Sequence, residues 1–269
     1  MQNIVDGILA NLGLKKRIGL ALSGGMVRGT AHIGVLKVLR AKNINIECLS
    51  ACSAGAIVGC LYAAGLSPEK IEQIAVKEIN WFRFFKPAIW KEAPSSLDEI
   101  KRFIKSHIGD VQFSDLELPF AVVAQDLRTG KEVVLNKGSV MEAVAASAAF
   151  PGIFTPLKLG KHLLIDGGIV NNLPTSLLGD MGANYKIAVD VVPKPPFKHD
   201  PGNLVHLFER ALDIALHKMS EEGRKLADLL IAPDIPEDIW HHDLDSGKIK
   251  KLIKAGEEAG EKVLRSFVQ

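Results

Sequence analysis

Ile44-Asn45-Ile46-Glu47-Cys48-Leu49-Ser50-Ala51-Cys52-Ser53-Ala54-Gly55-Ala56 is the stretch that decides the fold. The apolar run Ile44 to Leu49 reads as a buried strand, and the small residues from Ala56 to Ala64 read as a helix packed close behind it. Between them, Ala51-Cys52-Ser53-Ala54-Gly55 has the form of a strand-to-helix elbow, in which a strained turn thrusts the serine out of the backbone. Ala51 stands where that pattern has its first glycine, which keeps the position small but forfeits easy access to positive φ. Taken alone, the pentapeptide also fits an ordinary packed strand-helix turn. Cys52 reads as packing, with its side chain directed away from the active face of the elbow.

Upstream, Ile18 to Leu22 reads as a short buried strand running into Ser23-Gly24-Gly25-Met26-Val27-Arg28-Gly29, before a helical pattern from Thr30 to Lys42. A glycine-rich loop at a helix N-terminus gathers unpaired N–H donors and suits an anion, either a phosphate or the oxyanion of a tetrahedral intermediate. Both nucleotide readings fail on residues. The P-loop needs Lys and Ser/Thr after its last glycine, where Thr30-Ala31 follow Gly29, and the dinucleotide fingerprint needs glycine where Met26 stands. A third element, Leu163-Leu164-Ile165-Asp166-Gly167-Gly168, is an apolar strand ending in an acid on a glycine turn. Its carboxylate is placed to face the serine, although an Asp before two glycines is by default a turn residue.

Gly24-Gly25-x-x-Arg28-Gly29, Ser53 in its elbow and Asp166-Gly167-Gly168 resemble, in order and spacing, the three signatures of the patatin-like phospholipase family. Ala31 to Leu36, Val123 to Gly130 and Ala145 to Phe154 are similar to bacterial members, and the likeness covers roughly Arg17 to Val192. The resemblance implies a three-layer α/β sandwich around a central, mainly parallel sheet. It also implies a Ser53-Asp166 dyad in which the carboxylate takes the serine proton directly. The implied oxyanion donors are the backbone N–H groups of Gly24, Gly25 and Met26, with Ala54 as a further one. Arg28, Gly29, Gly55, Gly167 and Gly168 are the supporting residues, Arg28 through a buried ion pair or a lipid phosphate. The implied activity is cleavage of fatty-acyl esters of phospholipids or lysophospholipids, with no cofactor. An acyltransferase or thioesterase with the same dyad, and a lipid-binding regulatory pseudoenzyme, stay open as alternatives. Two residues depart from the family pattern: Met26 replaces the third glycine of the anion loop and Ala51 the first glycine of the elbow.

A Ser53-Asp166 pair completed by His199 or His206 would follow the chain order of α/β-hydrolases. His199 lies in the Pro-rich stretch Pro193 to Gly202 and His206 early in a helix of mixed polarity, so both read as surface residues. His32 reads as a structural hydrogen-bonder, and His241-His242 lack the ligand-spaced partners of a metal site.

At 269 residues the chain suits a single domain, 1–269, with a motif-bearing core over about 17–192 and a C-terminal helical extension over about 203–269. A net charge of +2 with no basic block speaks against nucleic acid. The three cysteines, Cys48, Cys52 and Cys60, cluster around the elbow, which suits reduced thiols in a cytoplasmic protein. No secretory signal and no apolar run of spanning length is visible. Trp81-Phe82-Arg83-Phe84-Phe85-Lys86-Pro87-Ala88-Ile89-Trp90 mixes aromatics with cations, and suits a peripheral membrane contact, a flap over an acyl pocket or a packed helix end. Composition is silent on oligomeric state. Strands are expected at 18–22, 44–49, 120–124, 163–165 and 187–191, with Thr129-Gly130 joining an antiparallel pair and a docked amphipathic helix over 246–267.

Overall fold

Five consecutive residues with no exposed side chain, Ile-Gly-Leu-Ala-Leu, make β1 (Ile18–Leu22), which is central because it is covered on both faces. In the computed structural model, residues 16–78, 97–237, 239–240 and 245–267 are described. Trp81 to Trp90 and His241-His242 lie outside them. Along the chain follow α1 (Ala31–Ala41), β2 (Cys48–Cys52), α2 (Ser53–Ala63), α3 (Pro68–Glu78), α4 (Asp98–Ile108), β3 (Phe120–Asp126), β4 (Glu132–Leu135) and α5 (Val140–Ser147). The second half adds β5 (Leu157–Leu159), β6 (His162–Asp166), α6 (Leu177–Asp180), β7 (Tyr185–Val189), α7 (Leu204–Met219), α8 (Glu221–Leu226), β8 (Leu229–Ile231) and α9 (Ser246–Val263).

These strands form one mixed, mostly parallel sheet. β3, β2, β1, β7 and β8 run parallel in that order, while β4 and β6 pair antiparallel with β3, and β5 antiparallel with β6. Alternation along β1 assigns the layers. Ile18, Leu20 and Leu22 enter the large core that also holds Leu36 of α1, Val58 of α2, Val144 of α5 and Ile253 of α9. Ala21 enters a smaller core with Ala188, Leu173 and Leu178 of α6.

The register around β3 places the functional ends. Val122 and Val123 pair with both β2 and β4, so those two strands lie on opposite edges of β3. Ala124 and Gln125 pair with both β4 and β6, so β6 lies on the same edge as β2. β2 and β6 therefore run toward each other end to end, and their carboxyl ends meet where Cys52 faces Val123 and Asp166 faces Ala124.

Two expectations need correction. The strand expected at 44–49 begins at Cys48 and runs through the elbow to Cys52; Ile44 and Ile46 are apolar because they are buried in the α1–β2 connection, where the N–H of Ile44 bonds the carbonyl of Leu39. The region 203–269 is not purely helical, since β8 joins the sheet beside β7. α9 is docked as expected, with Ile249, Leu252 and Ile253 buried. It approaches α1 so closely that a Cβ on Gly34 would lie 1.9 Å from the carbonyl oxygen of Ile253, a contact only glycine allows.

Candidate active site

Ser53 opens α2 directly from the end of β2 with φ of 49°, the left-handed region that costs a non-glycine residue energy. The strain is held from below. The N–H of Ser53 donates to Oγ of Ser147 at 2.8 Å, and the Ser147 hydroxyl donates to the carbonyl of Val123 at 2.6 Å, so the end of α5 clamps the elbow to β3. Gly55 lets the helix start approach the anion loop, because a Cβ there would lie 2.5 Å from the carbonyl oxygen of Ser23. Ala51 does not disturb this geometry. It sits inside β2, paired with Leu22 and Val122, so the positive φ falls on the serine itself.

Because β2 and β6 meet end to end, the Ser53 hydroxyl reaches Asp166 and donates to its Oδ2 at 2.6 Å. The other carboxylate oxygen, Oδ1, accepts the N–H of Gly168 at 2.7 Å. Asp166 is only 3 % exposed, and burial pushes its carboxyl up to about 6, against the opposing pull of hydrogen bonds from Ser53, Gly168 and Cys52. Cys52 is packed as expected, but its thiol is not directed away. Sγ lies 3.9 Å from Oδ1 of Asp166, and burial followed by that negative charge raises its pKa well above the usual thiol range, so it remains a protonated donor. Cys48, Cys52 and Cys60 are all free and buried.

The loop between β1 and α1 continues as a turn of 3-10 helix over Met26–Thr30. Gly24, read from sequence as an oxyanion donor, is not free for that task, because its N–H bonds the carbonyl of Asn172 at 3.1 Å. The N–H groups of Gly25, Met26 and Ala54 have no acceptor among the described residues. Met26 adopts φ of 51°, so the position that departs from the family pattern is one where glycine would be unstrained. Arg28 is turned inward at 2 % exposure, ion-paired with Asp213 of α7 and donating to the carbonyl of Ile239 at 3.0 and 3.2 Å. Of the two expectations for this arginine, the buried ion pair is realised, and its burial leaves no path to a lipid phosphate. Asn172 and Ser147 were missed as functional candidates. Asn172 accepts from Gly24 through its carbonyl and donates from Nδ2 to Ser220 at 3.0 Å, tying the anion loop to the start of α8. The signals for Ser147 are a lone hydroxyl in an otherwise apolar stretch, Ala145 to Ala149, and the likeness of Ala145 to Phe154 to bacterial family members.

No histidine is among the hydrogen-bond partners that the described residues offer Ser53 and Asp166. His199 is exposed and bonds Glu237, and His206 stacks on Trp240 with ring centroids 3.9 Å apart. His32 is buried, donates from Nε2 to the carbonyl of Ser23 at 2.8 Å, and is held neutral by desolvation, its pKa lowered to about 4. No group of three or more His, Cys, Asp or Glu placed to hold a metal occurs among the described residues. A small apolar cavity of about 20 Å³ lies beside Ala54, lined by Ile57, Leu61, Ile33 of α1, Ile74 of α3 and Phe103 of α4.

Residues 20–178 match the family model of patatin-like phospholipases. The chain belongs to that family. Among curated proteins, this patatin-like chain is 34 % identical over 176 residues to an uncharacterised NTE family protein of Mycobacterium tuberculosis, covering 65 % of this chain and 49 % of that one. It is 33 % identical over 181 residues to the neuropathy target esterase of Drosophila melanogaster, covering 65 % of this chain and 13 % of the fly protein. The chain thus spans half or less of the length of these relatives. Among solved structures it shares the fold of VipD from Legionella pneumophila, with a TM-score of 0.64 at 12 % identity, over 94 % of this chain and 67 % of that one. No helix among the described residues is long and apolar enough to cross a membrane.

Proposed function

We propose that this patatin-like chain is a serine hydrolase of lipid acyl esters, acting on phospholipids or lysophospholipids through an acyl-Ser53 intermediate. The observation that carries the reading is the 2.6 Å hydrogen bond from a strained, elbow-held serine to a buried carboxylate. Asp166 accepts the Ser53 proton as Oγ bonds the ester carbonyl carbon. A carboxyl titrating at about 6 is ionised at neutral pH yet a better base than a solvated aspartate. The oxyanion of the tetrahedral intermediate faces the N–H groups of Gly25, Met26 and Ala54, each such donor being worth about 3 kcal/mol in comparable sites. Collapse expels the alcohol, which takes the proton from Asp166. Water then repeats the sequence in reverse, its proton going to Asp166 as its oxygen attacks the acyl carbon, and the fatty acid leaves as Ser53 recovers its proton. We take residues 1–269 as a single patatin-like domain, and a cytoplasmic protein with peripheral membrane access as its setting.

Intact-mass analysis after incubation with a long-chain fluorophosphonate tests this. One adduct is expected on the native chain, none on Ser53→Ala, and strongly slowed labelling on Asp166→Asn. An unlabelled native chain sinks the hydrolase, and an adduct persisting in Ser53→Ala sinks the assignment of the nucleophile.

A further inference from the structure

Helix α7 is built inside out. Its charged residues Glu209, Arg210 and Asp213 are buried, while Leu204, Val205, Leu207, Phe208 and Ile214 are 50–80 % exposed. At 100° per residue the two sets fall on opposite sides of the helix, with Leu204, Phe208, Ala211 and Ala215 down the centre of the outward face. The polar face is committed to holding the site. Asp213 neutralises Arg28 of the anion loop, and Arg210 lies over the ring of Phe197 at 3.8 Å. Leu216 packs beside Gly168, next to the dyad acid, and Ile169 in that same turn is 40 % exposed. α7 thus sets its apolar face outward at the element that carries the anion loop and the Asp166 turn, where a lipid would have to arrive.

We propose that the outward face of α7 is an interfacial docking surface for a lipid bilayer, through which the chain seats its site on lipid. The inference rests on the lipid-hydrolase reading for its purpose but not for its binding. The chemistry of the face selects the occupant. The only acids of α7 are Glu209 and Asp213, both buried, so its outward face bears no carboxylate. Near the helix the exposed Lys194, Lys198, Lys218 and Lys225 are matched by Asp200, Glu221, Glu222 and Glu237, with Glu221 bonding both Lys218 and Lys225, so apolar contact rather than charge carries the docking. Sixteen residues of helix with one apolar face free of carboxylates have the length and form of helices that lie in the plane of a membrane interface.

Sedimentation with vesicles of phosphatidylcholine, alone or mixed with phosphatidylglycerol, tests the proposal on the full chain. The native protein is expected to sediment with both kinds of vesicle. Leu204→Ser/Phe208→Ser, two exposed positions whose change leaves the core intact, is expected to lose affinity by about tenfold or more. Fluorophosphonate labelling in vesicle-free solution reports Ser53 separately, so loss of labelling with vesicle binding intact overturns the hydrolase and spares this surface. Native-like sedimentation of Leu204→Ser/Phe208→Ser overturns the surface, as does a native dimer in light scattering that the same substitutions convert to monomer.

Discussion

Replacing Asp166 by Asn should abolish turnover and yet stabilise the fold, by an amount that depends on pH in a defined way. The carboxyl is 3 % exposed, and its pKa is raised from 3.8 to about 6, chiefly by burial. The unfolded chain releases this proton above pH 3.8 and the folded chain only above about 6. Between those values the folded state holds more protons, and stability falls as pH rises. At 1.36 kcal/mol per tenfold, the ionised folded chain carries a penalty of about 3 kcal/mol. Asparagine keeps an oxygen for the Gly168 N–H and places an amide where Ser53 Oγ can accept, so the packing survives while the buried charge goes. Urea unfolding of both proteins from pH 4 to pH 8 measures this. Their midpoints should nearly coincide at the acid end, and Asp166→Asn should gain about 3 kcal/mol by pH 7 to 8 at unchanged m-value. Other titrating groups, such as His32, are common to both chains and cancel in the difference. A difference that stays flat with pH, or shrinks as pH rises, would refute the claim that the carboxylate is held desolvated. Hydrolysis by the native chain should rise with pH through about 6 and level off, and Asp166→Asn should lose a factor of at least about 10².

Asp213→Ala removes a buried ion-pair partner of the Arg28 guanidinium and should cost about 3–5 kcal/mol in chemical denaturation; a loss under about 1 kcal/mol would refute the view that this pair pins the anion loop. Met26→Gly relieves the positive φ of the anion loop and should raise stability by about 1 kcal/mol or less in the same assay, whereas a destabilisation would mean that the half-buried Met26 side chain outweighs the backbone strain.

What was readable in the sequence lies where local chemistry and tertiary role coincide. Ser53 and Asp166 stand at strand ends beside glycines and small residues, a signature that survives without coordinates. β1 was readable because a strand buried on both faces is apolar throughout. Ile44 and Ile46 misled because a buried connection is as apolar as a strand. Gly24 misled because its N–H partner, the carbonyl of Asn172, is distant in sequence and carries no side-chain signal. α7 was opaque for a related reason. Its period is helical, but which face turns inward depends on the buried Arg28, 185 residues away, drawing Asp213 to the core side. Ser147 likewise acts only through contacts with Val123 and Ser53 that no local pattern encodes.

The head-on meeting of β2 and β6 along one edge of β3 makes that middle strand a ruler for the catalytic pair. Ser53 and Asp166 are 113 residues apart in the chain, but their separation in space is fixed by how far each strand advances along the same backbone. A slip of one residue by either strand would displace its terminal group by about 3.3 Å and turn its side chains to the other face, breaking the pair outright rather than loosening it. Loops that enter these strands can therefore lengthen at little cost to the chemistry. The tolerance of the site is concentrated in the few ladder bonds between Cys52, Val123, Ala124 and Asp166.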